Sequence, residues 1–196
     1  MPRPKTHDDA LRAKLLSRAS ELLGGEGASA LSLRRLASEA GTSTTAVYSL
    51  FGGKSDLVNA LYADGFRRFG ERLRAVAGSG DTARDLVALG LGYRDAALSD
   101  PHLYSAMFTG ALPGFEADGT TSALARDALQ PLWDTARAGI ESGVLAAETP
   151  GLVAVSCWGC AHGLVSLELN TSLSSGIDFC GTYERALRAT VSGWLA

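Results

Sequence analysis

The chain has 196 residues, a net charge of −3 and 46% hydrophobic residues, enough for one large domain, or a small one joined to a larger one, with a real core. Six prolines and few β-branched runs, in a chain rich in alanine and leucine, favour helices. Three cysteines at no framework spacing argue against a disulfide-stapled secreted protein and for a reducing cytoplasm, and the N-terminal MPRPKTHDDALRAK lacks the apolar stretch of a secretory signal.

In chain order, Thr6 is the expected N-cap of a first helix, with Asp8 and Asp9 in its first turn, where the helix dipole favours negative charge. Leu11, Leu15, Ala19, Leu22 and Leu23 follow at helical spacing, and Gly24-Gly25 reads as the stop. Ser32 caps a short helix, LRRLASEA, with Leu33, Leu36, Ala37 and Ala40 on one stripe; Gly41 ends it, and Ser43 caps TTAVYSLF. Two short helices across a glycine turn form a helix-turn-helix pattern, with Ala37 allowing close approach and Val47 plugging the angle. An ordinary αα-corner has the same spacing.

Lys54 begins a long helix running to about Ala77, with Leu57, Leu61, Phe66 and Phe69 among its apolar residues, and GSGD at 78–81 is a flexible break. Further helices are expected at about 82–98, 101–110, 120–143, 150–170 and 178–195, with GALPGFEADG as a loop and no strand pattern or repeat. Charge divides unevenly: twelve Lys and Arg against eight Asp and Glu up to Arg74, then six against thirteen. A polyanion-binding domain ahead of an acidic body has this form. The stretch 151–169 approaches the length of a bilayer span, but Ser156, His162, Ser166 and Glu168 interrupt it and no Lys or Arg cluster flanks it, so it reads as a buried helix and no membrane partner is expected.

The run LSLRRLASEAGTSTTAVYSLFGGKSDLVNAL resembles the DNA-binding domain of TetR-family transcriptional regulators. Ser32, Ala37, Ala40, Gly41, Ser43, Tyr48, Phe51, Lys54 and Leu57 fall in the family's register. Leu50 departs from it, standing where many members carry a phosphate-touching His. CWGCAHGLVSLEL, through Trp158, His162 and Gly163, and DPHLYSAMF are similar to helices in one branch of TetR-like ligand-binding domains, the Trp/His/Gly branch. The resemblance implies an all-α fold in which an N-terminal three-helix helix-turn-helix domain (1–54) is joined by a long helix (about 54–77) to a larger effector-binding and dimerisation domain (55–196). It also implies a cytoplasmic homodimeric repressor that releases an inverted-repeat operator when a small apolar or aromatic effector binds.

A recognition helix offers its N-terminal side chains to base edges in the major groove. Thr44, Thr45 and Ala46 hold that end; threonine's hydroxyl suits several bases, and its methyl, like alanine's, packs on thymine. Arg34 matches a position that reads bases in some members; pairing with Glu39 or a phosphate is the alternative. Ser32, Tyr48 and Lys54 are assigned to the DNA backbone, although Tyr48 could equally pack its ring into the core. Arg3 and Lys5 on the proline-containing arm could reach flanking phosphates, or form a disordered tail.

CWGCAHG also invites a redox or metal reading. Thioredoxin-like C-x-x-C pairs work at a helix N-terminus after a strand, whereas Cys157 and Cys160 lie inside an apolar helix, and Cys160 and His162, two residues apart, point to different faces. No catalytic set, metal site or cofactor is therefore expected; a thiol-responsive regulator, a thiol oxidoreductase and a DNA-binding module without an effector are the rivals. Ser156, Gly159, Gly163 and Ser166 share a face on which another helix can come close. With Tyr183, Leu187, Val191 and Trp194 of the last helix they make the expected dimer interface. Trp158 and His162, with Tyr93, Tyr104, Met107, Phe108 and Trp133, are the expected effector-binding residues, each also an ordinary core residue in its own right.

Overall fold

The structure, a computed structural model, describes residues 5–27, 29–76, 78–108, 115–170 and 176–196, with side chains from Asp8 onward. Arg3, the Lys5 side chain, Ala77 and positions 109–114 of the expected helix end and loop lie outside that set. Among the described residues there are ten helices: α1 Lys5–Glu26, α2 Leu33–Ala40, α3 Thr44–Phe51, α4 Lys54–Arg74, α5 Thr82–Ser99, α6 Pro101–Phe108, α7 Gly119–Ala128, α8 Gln130–Glu141, α9 Pro150–Leu169 and α10 Phe179–Ser192. Their packing defines two compact units, Met1–Arg67 with Asp100–Ala125, and Arg68–Ser99 with Arg126–Ala196. This division by packing cuts α4 between Arg67 and Arg68 and places α6 with the first unit; a functional division at 54/55 is a different cut.

In the first unit, α1 packs on α2, α3 and α6. Its core joins Leu15, Ala19, Leu22 and Leu23 of α1 to Leu36 and Ala37 of α2, Val47 and Phe51 of α3, Leu57, Val58 and Leu61 of α4, and Leu103 and Ala106 of α6. The first helix starts before Thr6, which is therefore no cap, and runs through Gly24-Gly25 to Glu26. The stop is Gly27, at φ 81, a conformation natural to glycine. Gly24 serves tertiary packing instead: a Cβ there would stand 2.4 Å from the His102 carbonyl oxygen of α6.

In the second unit, α9 is packed by α5, α8 and α10, and α10 also lies on α5. The expected helix over 120–143 is two helices, broken at Leu129. Pro131, in the first turn of α8, has no N–H to donate and its ring clashes with the carbonyl four residues back, so one continuous helix is excluded. Arg94 of α5 forks onto Glu168 of α9 at 2.7 and 2.5 Å, both side chains being largely buried, and this pair holds the Arg94 guanidinium above its usual range. The Tyr183 hydroxyl donates to the Ala161 carbonyl at 2.8 Å, tying α10 to α9. Past α10 the chain returns to the segment after α8: Ala146 N–H donates to the Trp194 carbonyl at 2.8 Å and Ala196 N–H to the Val144 carbonyl at 3.1 Å.

Candidate nucleic-acid interface and regulatory region

The α2–α3 corner is built by local rules. Ser32 caps α2 by accepting from Arg35 N–H, and Ser43 caps α3 by accepting from Ala46 N–H, both at 3.1 Å. Gly41 closes α2 at φ 69, ψ 36, and Thr42 N–H then reaches the Ala37 carbonyl at 2.9 Å, so the orphan carbonyls of the last turn are satisfied. Lys14 of α1 donates to the Ala40 carbonyl at 2.8 Å, adding a cation where the dipole favours one.

On α3, Val47 and Phe51 face the core, and Arg12 of α1 lies 5.4 Å over the Phe51 ring. Thr45 is exposed, and Thr44 and Ala46 are half-buried. Tyr48 is 53% exposed, so its ring is not part of the core; Leu50 packs against that core and is turned to stability. Lys54 and Ser32 stand exposed at the starts of α4 and α2. Ser32 Oγ accepts in its cap and keeps its O–H to donate.

Glu39 is held by Arg18 at 2.6 Å and by Arg35 at 2.7 Å, and Arg35 also grips Glu26 at 2.7 Å. These arginines keep the Glu39 carboxyl below its usual range, Arg35 chiefly. Such exposed pairs add little stability, but they settle the partners of Glu39: these are Arg35 and Arg18, while exposed Arg34 makes no ion pair among the described residues.

The residues expected to bind an effector fall in both units. In the second, Trp158 Nε1 donates to the Tyr93 hydroxyl at 3.3 Å, and that oxygen lies 3.0 Å from His162 Nδ1. An indole N–H can only donate, so Tyr93 accepts from Trp158, and its hydroxyl pairs with His162 Nδ1. Burial holds the His162 pKa below 6.5. Tyr93 and Trp158 line a void of only about 10 Å³, at or below the least space a water needs; these side chains are filled core rather than an open pocket. Trp133 of α8 is half-buried.

In the first unit, Tyr104 is buried against Phe108 at 4.8 Å between ring centroids, and Phe108 meets Phe66 edge-on at 5.9 Å. Met107 lines a cavity of about 350 Å³ with Tyr62 and Phe66 of α4, Phe115, and Thr121 and Ala125 of α7. Tyr62, Phe115, Thr121 and Ala125 carry no signal in the sequence beyond that of core residues.

A half-buried histidine whose pKa is lowered by burial links stability to pH. Its folded pKa lies below the unfolded one, so the unfolded chain takes up the proton first and stability falls as pH drops below about 6.5. One group contributes a slope of at most about 1.4 kcal/mol per pH unit. Urea midpoints measured from pH 7.5 to pH 5 are expected to fall more steeply in the wild type than in His162→Asn; equal slopes would mean that His162 takes up its proton as readily in the folded chain as in the unfolded one.

The dimer face also needs correction. Tyr183, Leu187 and Val191 are 0%, 1% and 2% exposed, spent on covering α5 and α9 of their own chain, and Trp194 lies beyond the end of α10; none of the three buried residues can meet a partner. On α9 the buried face is Val153, Ala154, Cys157, Ala161 and Val165. The opposite face keeps Leu152, Val155 and Leu167 more than two-fifths exposed. Ser156, Gly159, Gly163 and Ser166 share it, all within about 60° of one line along the helix. Among the described residues, a Cβ at Gly159 or Gly163 would meet only open space. This helix is long and apolar enough to cross a membrane, and 28% of its most apolar window is buried.

Cys157 is 4% exposed, and burial, with Cys160 second, pushes its thiol up to about 11. Thiolates, not thiols, are the nucleophiles, so Cys157 is poorly suited to redox chemistry. Cys160 is half-buried and Cys180 exposed.

Comparison with known proteins agrees with this geometry. The family model described as "Bacterial regulatory proteins, tetR family" matches residues 15–61, and that described as "Tetracyclin repressor-like, C-terminal domain" matches 86–190. The HTH-type transcriptional regulator Mb1846 of Mycobacterium bovis is 24% identical over 139 residues, 69% of this chain; the match takes in 59% of that relative's length. Among solved structures, SCO4313, described as a proposed regulatory protein, is 29% identical with a TM-score of 0.80, covering 98% of this chain and all of that one. NalD of Pseudomonas aeruginosa, a secondary repressor of the MexAB-OprM multidrug efflux pump, shares the fold at 22% identity and TM-score 0.69, covering 97% and 98%. The corner that Ser32, Gly41 and Ser43 shape lies inside one matched stretch and α9 inside the other: the chain belongs to the TetR family of bacterial transcriptional regulators.

Proposed function

We propose that this chain acts in the cytoplasm as a homodimeric repressor that binds an inverted-repeat operator and releases it when a small, largely apolar effector binds. The division of labour proposed is DNA recognition by residues 1–54 and effector binding with dimerisation by 55–196. The observation that carries the DNA reading is the outward face of α3. Its two buried residues fix the helix to the core and leave Thr45 and Tyr48 exposed and Thr44 half-exposed, and Arg34 of α2 and Lys54, the first residue of α4, are exposed as well. In this reading Thr44, Thr45, Ala46 and Arg34 contact base edges, and Ser32, Tyr48 and Lys54 contact phosphates. The dimer reading rests on the apolar outward face of α9, since two-fold protein symmetry is mirrored in a palindromic site.

Selection of bound duplexes from a random pool is the test, and an inverted repeat is the expected product. Thr44→Ala and Thr45→Ala are each expected to relax preference at individual base pairs by about 1–3 kcal/mol. Lys54→Ala is expected to weaken all sequences alike and to lower the slope of log affinity against log salt by about 1. A Lys54→Ala variant with altered base preference, beside threonine variants unchanged from wild type, would mean that α3 does not enter the groove N-terminus first.

A further inference from the structure

Two observations coincide in the first unit. The cavity between α4, α6 and α7 measures about 350 Å³, within the roughly 300–1,000 Å³ typical of small-molecule sites. Tyr62, which lines it, is 7% exposed, and its hydroxyl is the buried side-chain polar atom that has no hydrogen-bond partner among the described residues. A buried hydroxyl left unpaired costs about 1–3 kcal/mol, and native chains pair nearly all such groups. The other hydroxyls at the wall are engaged: Thr121 donates to the Asn59 carbonyl at 3.3 Å and Ser122 to the Ala117 carbonyl at 3.4 Å. Phe66, Met107, Phe115 and Ala125 make the rest apolar, and among the described residues no charged side chain lines the space.

We propose that this cavity is the effector site, and that its ligand is a small, uncharged, largely apolar or aromatic molecule whose one carbonyl or hydroxyl pairs with the Tyr62 hydroxyl. The inference rests on the effector-responsive reading above and moves the site away from Trp158 and His162. Burial raises the Tyr62 pKa, so the phenol keeps its proton and can donate it. The Phe115 ring stands edge-on to Tyr62 at 5.4 Å, which fixes the phenol's position and leaves a flat apolar wall for an aromatic ligand.

The site's neighbours give it leverage on DNA binding. Met107 stands so close to Gly65 of α4 that a Cβ there would be 2.5 Å from its sulfur, and the same helix, α6, backs onto α1 at Gly24. The α1 helix in turn packs on α2 and α3. A ligand that displaces Met107 therefore presses on a helix with no slack against α1, within the unit that carries the recognition helix. Ligand and operator are coupled to the extent that the ligand prefers the displaced arrangement.

The probes are 2-acetylnaphthalene and 2-ethylnaphthalene, near-isosteres of which the first alone has a hydrogen-bond acceptor, titrated calorimetrically into the full chain. The ketone is expected to bind roughly tenfold more tightly than the hydrocarbon. In Tyr62→Phe that preference should vanish while hydrocarbon binding stays, and the variant should be at least as stable as wild type. Ala125→Phe, which fills the cavity, should abolish binding of both, and His162→Ala should bind both as wild type does. Failure of both probes to saturate, a ketone preference surviving Tyr62→Phe, or wild-type binding by Ala125→Phe would each overturn the site. Operator affinity read in the same titrations separates the two ideas. Probe binding with the expected pattern but no operator release overturns the effector reading and leaves the site; operator release undiminished in Ala125→Phe overturns the site and leaves the reading.

Discussion

Gly24→Ala is expected to destabilise the chain by about 3 kcal/mol or more, at the upper end for overpacking, although alanine ordinarily improves a helix interior by about 1 kcal/mol over glycine. The sign reverses because the added methyl would lie 2.4 Å from the His102 carbonyl oxygen and 2.5 Å from its Cα. These are backbone atoms of α6, which cannot rotate aside as the end of a side chain could, so α6 must part from α1 and surrender the contacts of Leu103 and Ala106 with the core. The neighbouring Gly25→Ala is the control. Its nearest atom would be His102 Cε1 at 3.5 Å, ordinary van der Waals contact, and the helix-propensity gain is expected to survive. Urea midpoints of the two variants decide the matter: equal stabilities would show that α1 and α6 do not pack as closely as this.

The same glycine pair shows what the sequence could and could not convey. Ser32, Gly41 and Ser43 were legible because a cap is a local device: the residue that makes it lies within a few positions of the group it satisfies. Gly24-Gly25 looks locally like a helix stop, and only the approach of a helix from seventy-odd residues away explains why it is not one. Pro131 carried its local signal plainly, and the helical periodicity on both sides of it masked the break. The stripe of Tyr183, Leu187 and Val191 showed that one face of α10 is covered, yet periodicity cannot say whether the cover is its own chain or a second copy. The cavity was the least legible feature. A void is the space that side chains from α4, α6 and α7 fail to fill, and nothing at Tyr62 in the sequence distinguishes it from a tyrosine that packs and pairs. Arg34 and Arg35 illustrate the middle ground: adjacent and chemically alike, they are separated only by the helix geometry that turns Arg35 toward Glu26 and Glu39.

Gly163→Leu is expected to abolish dimerisation and, with it, to weaken operator binding by about a hundredfold or more, since a monomer engages one half-site where the dimer engages two. The argument turns on what the substitution does not disturb. A Cβ at Gly163 meets nothing within 4 Å among the described residues of the single chain, and the same holds at Gly159, so leucine has room to enter here and improves helix propensity by up to about 1 kcal/mol. The folded monomer should be as stable as before, or more so. Between two copies the situation inverts. Gly159 and Gly163 sit among Leu152, Val155 and Leu167, which their own chain leaves more than two-fifths exposed. Small residues at the centre of such a face let two helix backbones approach, and a leucine there holds them apart so that the flanking side chains lose contact. Sedimentation equilibrium against protein concentration reads the association, and urea unfolding of the same sample reads the fold. A Gly163→Leu chain that remains a dimer of wild-type affinity would take the interface off this face of α9.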